Sequence, residues 1–281
     1  MLACCELNRA RPQSAAAQEQ LTSYDSLLTT HAAVLSQRMF AEDTSCIILA
    51  GGLGTRLRGS IGDIPKCMAP IAGKPFLEYL LRYLKRQGIR NLIFSLGYRA
   101  EVIEQWLAGR ASSFEITTVV ETEPLGTGGG IRLAMERCKT ATSFVVNGDT
   151  YFDVDLQEMY QWALRKGAET TLALKELRDF DRYGTVRMPP NPFDCGSAIL
   201  GFQEKQAMKK GLINGGIYCI DREAFLNRGF PEKFSFEKDY LETFVAGGRF
   251  NGFVSDGYFI DIGVPEDFQR AQTDFQTLFP A

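Results

Sequence analysis

One histidine, His31, is all that the 281 residues contain. A zinc centre, which draws on histidine and cysteine at fixed spacings, therefore lacks its usual ligand set. Cysteine occurs seven times, at positions 4, 5, 46, 67, 138, 195 and 219, but no two form a CxxC pair and the number is odd. In a chain too long to depend on disulfide staples, reduced thiols are expected. Positive charge is not in excess either: 31 Lys and Arg face 34 Asp and Glu, a net charge of -3. That balance excludes the electrostatic footprint of nucleic-acid or membrane-surface binding, so a polyanion has to be held at a local site. No apolar run approaches the roughly 18 to 20 residues that cross a bilayer. Near the N-terminus, Glu6, Arg9 and Arg11 stand where a secretory signal would need its apolar stretch. The expectation is a cytoplasmic protein with neither nucleic acid nor membrane as partner.

Glycine is missing from the first 43 residues, which hold one proline and are rich in Ala, Gln, Ser and Thr. Their apolar spacing is too irregular for a core element. Residues 1–43 therefore read as an N-terminal extension, expected to be mobile, ahead of one domain over 44–281. Met39 as a natural start and a genuine mobile arm are alternative readings of this segment.

From Ser45 onward strand and helix alternate. Cys46-Ile-Ile-Leu-Ala50 is short, apolar and β-branched and stops at a glycine-rich loop, as buried parallel strands do. Phe76, Leu77, Leu80, Leu81 and Leu84 share one helical stripe that ends near Gly88. The same periodicities predict strands over 91–96, 116–120 and 144–147, and helices over 100–107 and 131–138. Repeated βα units of this kind imply a doubly wound, mainly parallel α/β sheet with ligands at the carboxyl ends of its strands. Beyond Thr170 the predicted strands crowd together, over 171–174, 184–188, 198–202 and 212–220. A mixed sheet with a smaller, partly antiparallel substrate part follows, closed by a helix over about 265–275.

Leu49-Ala-Gly-Gly-Leu-Gly-Thr-Arg-Leu57 directly follows the first strand. Glycines let backbone N–H groups approach a phosphate chain, and Thr55 and Arg56 add hydroxyl and guanidinium donors. Leu57 fills the slot of a dinucleotide fingerprint's third glycine, and the Gly-Lys-Ser/Thr of a P-loop is missing. A tight turn without a ligand is the plain alternative for this motif alone. Ile64-Pro-Lys-Cys-Met-Ala-Pro70 follows closely, and its prolines hold Lys66 rigidly, where an ammonium could bridge two phosphates.

With GGLGTRL and PK in this order and spacing, the sequence resembles the sugar nucleotidyltransferases, which make NDP-sugars and pyrophosphate from an NTP and a sugar 1-phosphate. The resemblance extends over about 45–275 and implies a Rossmann-like, GT-A-like nucleotidyltransferase fold. It assigns Arg56 and Lys66 to catalysis, and Leu49, Ala50, Gly51, Gly52, Gly54 and Thr55 to the nucleotide. Glu123-Pro-Leu-Gly-Thr-Gly-Gly129 resembles the family's base-pocket loop, adding Glu123, Gly126 and Thr127. Asp149, in Asn147-Gly-Asp149, and Asp261, in Tyr258-Phe-Ile-Asp-Ile-Gly263, are implied ligands of Mg2+, a hard ion suited to two carboxylates and phosphate oxygens. Gly148, Tyr183, Gly184, Glu204, Lys205, Asn214 and Gly215 are implied contacts of the sugar phosphate. Pro189–Cys195 departs from the family pattern.

LINGGIY, FSFEKDYLE and GFVSDGYFIDIGVPEDF narrow the resemblance to members that pair GTP with a heptose 1-phosphate. Mannose 1-phosphate with GTP, glucose 1-phosphate with UTP or dTTP, and a non-catalytic nucleotide-sugar-binding subunit are the alternatives. A homo-oligomer is compatible with all of them. The lack of a catalytic histidine is no objection, because a phosphate monoester with a second pKa near 6 needs no general base at neutral pH.

Overall fold

β1 (Thr44–Ala50) is buried at nearly every residue because parallel strands flank it on both sides. The chain is described from a computed structural model, which covers residues 40, 44–52, 54, 57–110, 113–189 and 198–280. It divides into two units, Met1–Glu42 and Asp43–Ala281, the second of which carries the sheet. Apart from residue 40, the expected mobile extension lies outside the described residues.

β2 (Asn91–Leu96) pairs in parallel with β1, and β3 (Glu115–Val120) adds in parallel to β2 as the outer strand. β4 (Thr142–Asn147) lies on the opposite side of β1, again parallel. The chain thus moves outward from β1 in one direction and later returns to its other flank. Such a reversal opens a crevice at the strands' carboxyl ends. α1 (Phe76–Arg86) buries the whole predicted stripe together with Tyr79 and Tyr83, and the chain then turns at Gly88, whose φ is +84°. Lys85 and Arg86 in its last turn suit the negative end of the helix dipole. α2 (Ala100–Ala108) and α3 (Gly126–Met135) complete the βα alternation.

The short strand β5 (Thr150–Phe152) follows β4 and leads to α4 (Leu156–Lys166), a helix the apolar pattern did not announce. Asp155 caps it by accepting a hydrogen bond from Glu158 N at 2.8 Å, and Gly167 ends it in the left-handed region.

The second half is built from β6 (Thr170–Phe180), β7 (Thr185–Arg187), β8 (Gly201–Gln203) and β9 (Met208–Asp221). β9 pairs antiparallel with β4, so the sheet runs unbroken from the parallel half into this one. β6 and β9 are longer than expected, eleven and fourteen residues. Their outer parts, which include Arg178, Asp179, Lys209 and Lys210, form a solvated ribbon in which the backbone ladder continues after the apolar pattern fades. β10 (Phe250–Ser255), unforeseen in the sequence, pairs in parallel with β6. β11 (Phe259–Asp261) pairs antiparallel with β5 and brings the chain back to the end of β4.

α5 (Pro265–Leu278) runs three residues past its expected end and packs on α1. Phe275 lies 4.7 Å from the Tyr79 ring, edge to face, and 5.8 Å from Phe76. Among the described residues no helix is long and apolar enough to cross a membrane.

Candidate active site

A cavity of about 670 Å3 opens at the carboxyl ends of β1 to β4, within the size range of sites for nucleotide-sized ligands. Leu49, Ala50, Gly51, Gly52 and Gly54 of the first loop line it, as do Lys66, Glu123, Gly126, Thr127, Gly148 and Asp149. These predicted residues, scattered over a hundred positions of sequence, converge because most of them stand at the carboxyl end of a strand of one parallel sheet or in the loop or helix start that follows it, while Lys66 is brought in by its own helical turn. Thr55 and Arg56 lie outside the described residues.

Charge concentrates at the β4 end. Lys66 opens a single helical turn, Lys66–Met68, preceded by Pro65, and its Nζ lies 2.6 Å from Asp149 Oδ2. Asp261 arrives on β11, where it pairs with Thr150, while Ile262 N donates to the Asp149 carbonyl at 3.0 Å. Gly263 N donates to Asp261 Oδ1 at 2.7 Å. Burial, followed by the charge of Asp149, pushes the Asp261 carboxyl above its ordinary range, against the opposing pull of Gly263 N–H, Lys66 and Arg182. Two mutually repelling carboxylates, of which Asp149 lines the cavity and Asp261 stands behind it, fit a divalent cation, which would relieve the repulsion. Among the described residues no cluster of three or more His, Cys, Asp or Glu is suited to a metal. A pair of all-oxygen ligands fits Mg2+, which usually takes one or two carboxylates and completes its shell with water and substrate phosphates.

Another wall is built around the first turns of α3. Phe234 N donates to Leu125 O, Gly128 N donates to Phe234 O, and Phe236 N donates to Thr127 Oγ1 at 2.9 Å. A Cβ on Gly126 would lie 2.6 Å from Phe234 O, and one on Gly129 would lie 2.5 Å from Glu232 O. The glycine run therefore admits a neighbouring backbone as well as shaping the cavity. Thr127 also donates to Glu237 Oε2 at 2.7 Å.

Several lining residues were not anticipated: Ser95, Tyr98, Glu121 and Glu237. Glu121 stands two residues before the Glu123 loop and accepts from Leu125 N at 3.0 Å. Glu237 belongs to FSFEKDYLE, which carried family resemblance but no role. Tyr98 follows β2 and is joined to Asp63, which also pairs with Arg99 at 2.8 Å.

The expected sugar-phosphate residues other than Gly148 do not line this cavity. Tyr183 lies near Asp261: burial and then the Asp261 charge push its phenol up to about 12. Its neighbour Arg182 forms an ion pair with the buried Asp267 of α5. Gly184 is packed so that a Cβ would meet Gln203 O at 2.7 Å. Glu204 and Lys205 are exposed between β8 and β9. Asn214 spends both ends of its amide locally, donating to Tyr218 Oη at 2.8 Å and accepting from Gly216 N at 3.1 Å, and so braces a bulge in β9. Gly215 lies against the Phe152 ring.

A glycine loop at the sheet's switch point, a lysine between prolines and two carboxylates at strand ends form the site of a nucleotidyl-transferring enzyme. The nucleotidyl transferase family model matches residues 45–277, and the chain belongs to that family. It is 44% identical over 230 residues to the D-glycero-alpha-D-manno-heptose 1-phosphate guanylyltransferase of Aneurinibacillus thermoaerophilus, covering 82% of this chain and 97% of that protein. To the protein of the same name from Campylobacter jejuni it is 45% identical over 222 residues, 79% of this chain and 96% of the other. The crystal structure of HddC from Yersinia pseudotuberculosis complexed with GMP-PN matches with a TM-score of 0.73 and 38% identity, covering 82% of this chain and 99% of that one.

Proposed function

We propose that this chain transfers a guanylyl group from GTP to D-glycero-α-D-manno-heptose 1-phosphate, forming GDP-heptose and pyrophosphate. The observation that carries the chemistry is the pairing of Lys66 and Asp149 at one end of the cavity, with Asp261 close beside them although it does not itself line the cavity. The guanylyl donor and the heptose acceptor are supported by the two curated relatives of that activity.

A phosphate oxygen of the sugar attacks the α-phosphorus of GTP, and the bond from that phosphorus to the bridging oxygen breaks. Pyrophosphate leaves with the electron pair. No proton has to be removed from the acceptor, since its phosphate is largely dianionic at neutral pH. The protein's task is to bring two anions together and to stabilise the charge that accumulates between them. Lys66, fixed by its helical turn, offers its ammonium to the α-phosphate and to the incoming phosphate. The backbone of Gly51, Gly52 and Gly54 holds the nucleotide phosphates, and Arg56 is assigned to the leaving pyrophosphate by its place in GGLGTRL. Mg2+ held by Asp149 and Asp261 would neutralise phosphate charge.

Pyrophosphate release measured over a panel of nucleotides and sugar 1-phosphates tests the reading. GTP with the heptose 1-phosphate is expected to give a higher kcat/KM than GTP with mannose 1-phosphate, or than UTP or dTTP with glucose 1-phosphate. Equal efficiency with mannose 1-phosphate would sink the heptose assignment, and a preference for UTP or dTTP would overturn the guanylyl part. Lys66→Ala is expected to lower turnover by roughly 100-fold to 1000-fold, the loss typical of a preorganised charge-stabilising donor. Turnover near that of the unsubstituted protein would remove Lys66 from the mechanism.

A further inference from the structure

Glu237 is the acidic member of FSFEKDYLE that reaches the cavity. It stands in a π-helical segment, Phe236–Glu242, whose first residue is pinned to α3 by the bond from Phe236 N to Thr127 Oγ1. Its carboxylate is oriented through one oxygen. Thr127 donates to Oε2 at 2.7 Å and Ser235 Oγ donates to the same atom at 3.2 Å. Neither bond uses Oε1. An exposed carboxylate held at one oxygen by two hydroxyls keeps its other oxygen available as a charged acceptor, with little rotational freedom left to lose on binding.

Glu237 shares its surroundings with the β9 bulge. The phenol of Tyr218 is raised by burial and then by the charge of Glu237, while Asn214 donates to that same phenol. Asn147, at the end of β4, lies against the bulge, since a Cβ on Gly216 would come within 2.6 Å of its Nδ2. Asn147 and Asp149 line the cavity with Glu237. This wall is therefore continuous with the Lys66 end, where the acceptor phosphate must arrive. Glu121 lies elsewhere in the cavity, close enough to Gly51 that a Cβ there would be 3.2 Å from Oε1. With a Cβ on Gly130 lying 2.7 Å from that same oxygen and Leu125 N donating to its other one, it stands at the junction of the glycine loop and α3.

A sugar 1-phosphate brings hydroxyl donors, and the wall beside its phosphate needs acceptors for them. Asn214 does not line the cavity, and its amide oxygen already takes Gly216 N. We propose that Glu237 is a sugar-binding residue whose Oε1 accepts hydroxyls of the sugar 1-phosphate, with Thr127 and Ser235 as the residues that position it. This deepens the nucleotidyltransferase reading and rests on it.

The test uses the full chain, with GTP and D-glycero-α-D-manno-heptose 1-phosphate as substrates. Glu237→Gln keeps the shape, but its amide has to satisfy Thr127 and Ser235 with oxygen and so presents NH2 to the sugar. The KM for the sugar 1-phosphate should rise about tenfold, the scale of losing a hydrogen bond to a charged group, while the KM for GTP stays put. Glu237→Asp keeps the charge but is one methylene too short to serve Thr127 and the sugar together, so it should show a smaller rise in the same parameter. Should the Gln variant fail to fold, the Asp variant alone decides. An unchanged sugar KM overturns the proposal, and so does a rise confined to the KM for GTP, which would move Glu237 to the nucleotide. If the unsubstituted protein turns over a different sugar 1-phosphate, the heptose reading fails separately and the same two KM values are compared with that sugar.

Discussion

Lys66 and the two aspartates show how single residues divide function from stability. Asp261 is destabilised in its charged form by burial and by Asp149, a repulsion that Gly263 N–H, Lys66 and Arg182 offset only in part and that a bound cation would relieve further. Asp261→Asn should therefore melt no lower than the unsubstituted chain in the absence of Mg2+, yet lose most of its turnover and its normal response to Mg2+. Asp149→Asn should lose turnover similarly, but without the thermal benefit, because it also releases Lys66 from a 2.6 Å pairing. Melting curves with and without Mg2+ and turnover over a Mg2+ titration check both. A variant with normal rate and normal Mg2+ dependence would exclude that residue as a ligand. Of this site the sequence exposed what falls within a short motif: a run of glycines after the first strand, a lysine between prolines, an aspartate just past an apolar strand. Glu121 and Glu237 escaped because an isolated glutamate reads as a solvated one. Only the packing of separate segments turns these two toward the cavity.

Elements follow the sequence where burial imposes a period and depart from it where backbone bonding takes over. The α1 stripe was legible because all its members face one core, whereas the outer parts of β6 and β9 were not, because their ladder needs no apolar pattern. α3 poses a different problem: it begins inside a run of glycines, which are poor helix formers. Its cause is the strand-like segment beside it, since Phe234 packs against Gly128 and its carbonyl against Gly126. Gly128→Ala should thus destabilise the protein although alanine is the better helix former by about 1 kcal/mol. Forcing a methyl group against a buried aromatic ring costs typically 1 to 3 kcal/mol, so overpacking outweighs propensity. Phe234 is buried and stacks on Phe230 at 4.3 Å, which leaves it little room to retreat. Urea unfolding of the alanine variant should give a lower midpoint with an unchanged slope. A midpoint at or above that of the unsubstituted protein would show that the Phe234 segment yields readily.

At the scale of the whole molecule, one sheet runs through both halves of the domain, with β4 and β9 paired at their junction. The parallel half was legible from alternating strand and helix. β10 was not, because it returns from some seventy residues away to pair with β6, and sequence periodicity carries no information about which distant strand is the partner. The described strands of the sheet all begin at or after Thr44. β1 finds its neighbours in β2 and β4, every cavity-lining residue among the described ones stands at or after Leu49, and the family match begins at residue 45. The compact unit that holds the site begins at Asp43. A chain starting at Met39 should accordingly fold with the melting temperature of the full chain and keep its kcat/KM for GTP and the sugar 1-phosphate. Thermal melting and the pyrophosphate-release assay on the two lengths compare them directly. A large fall in solubility, melting temperature or activity on shortening would mean that residues 1–38 pack on the domain or complete an interface between subunits. In that event size measurement of both lengths separates the two causes, since only the second changes the number of chains in the particle.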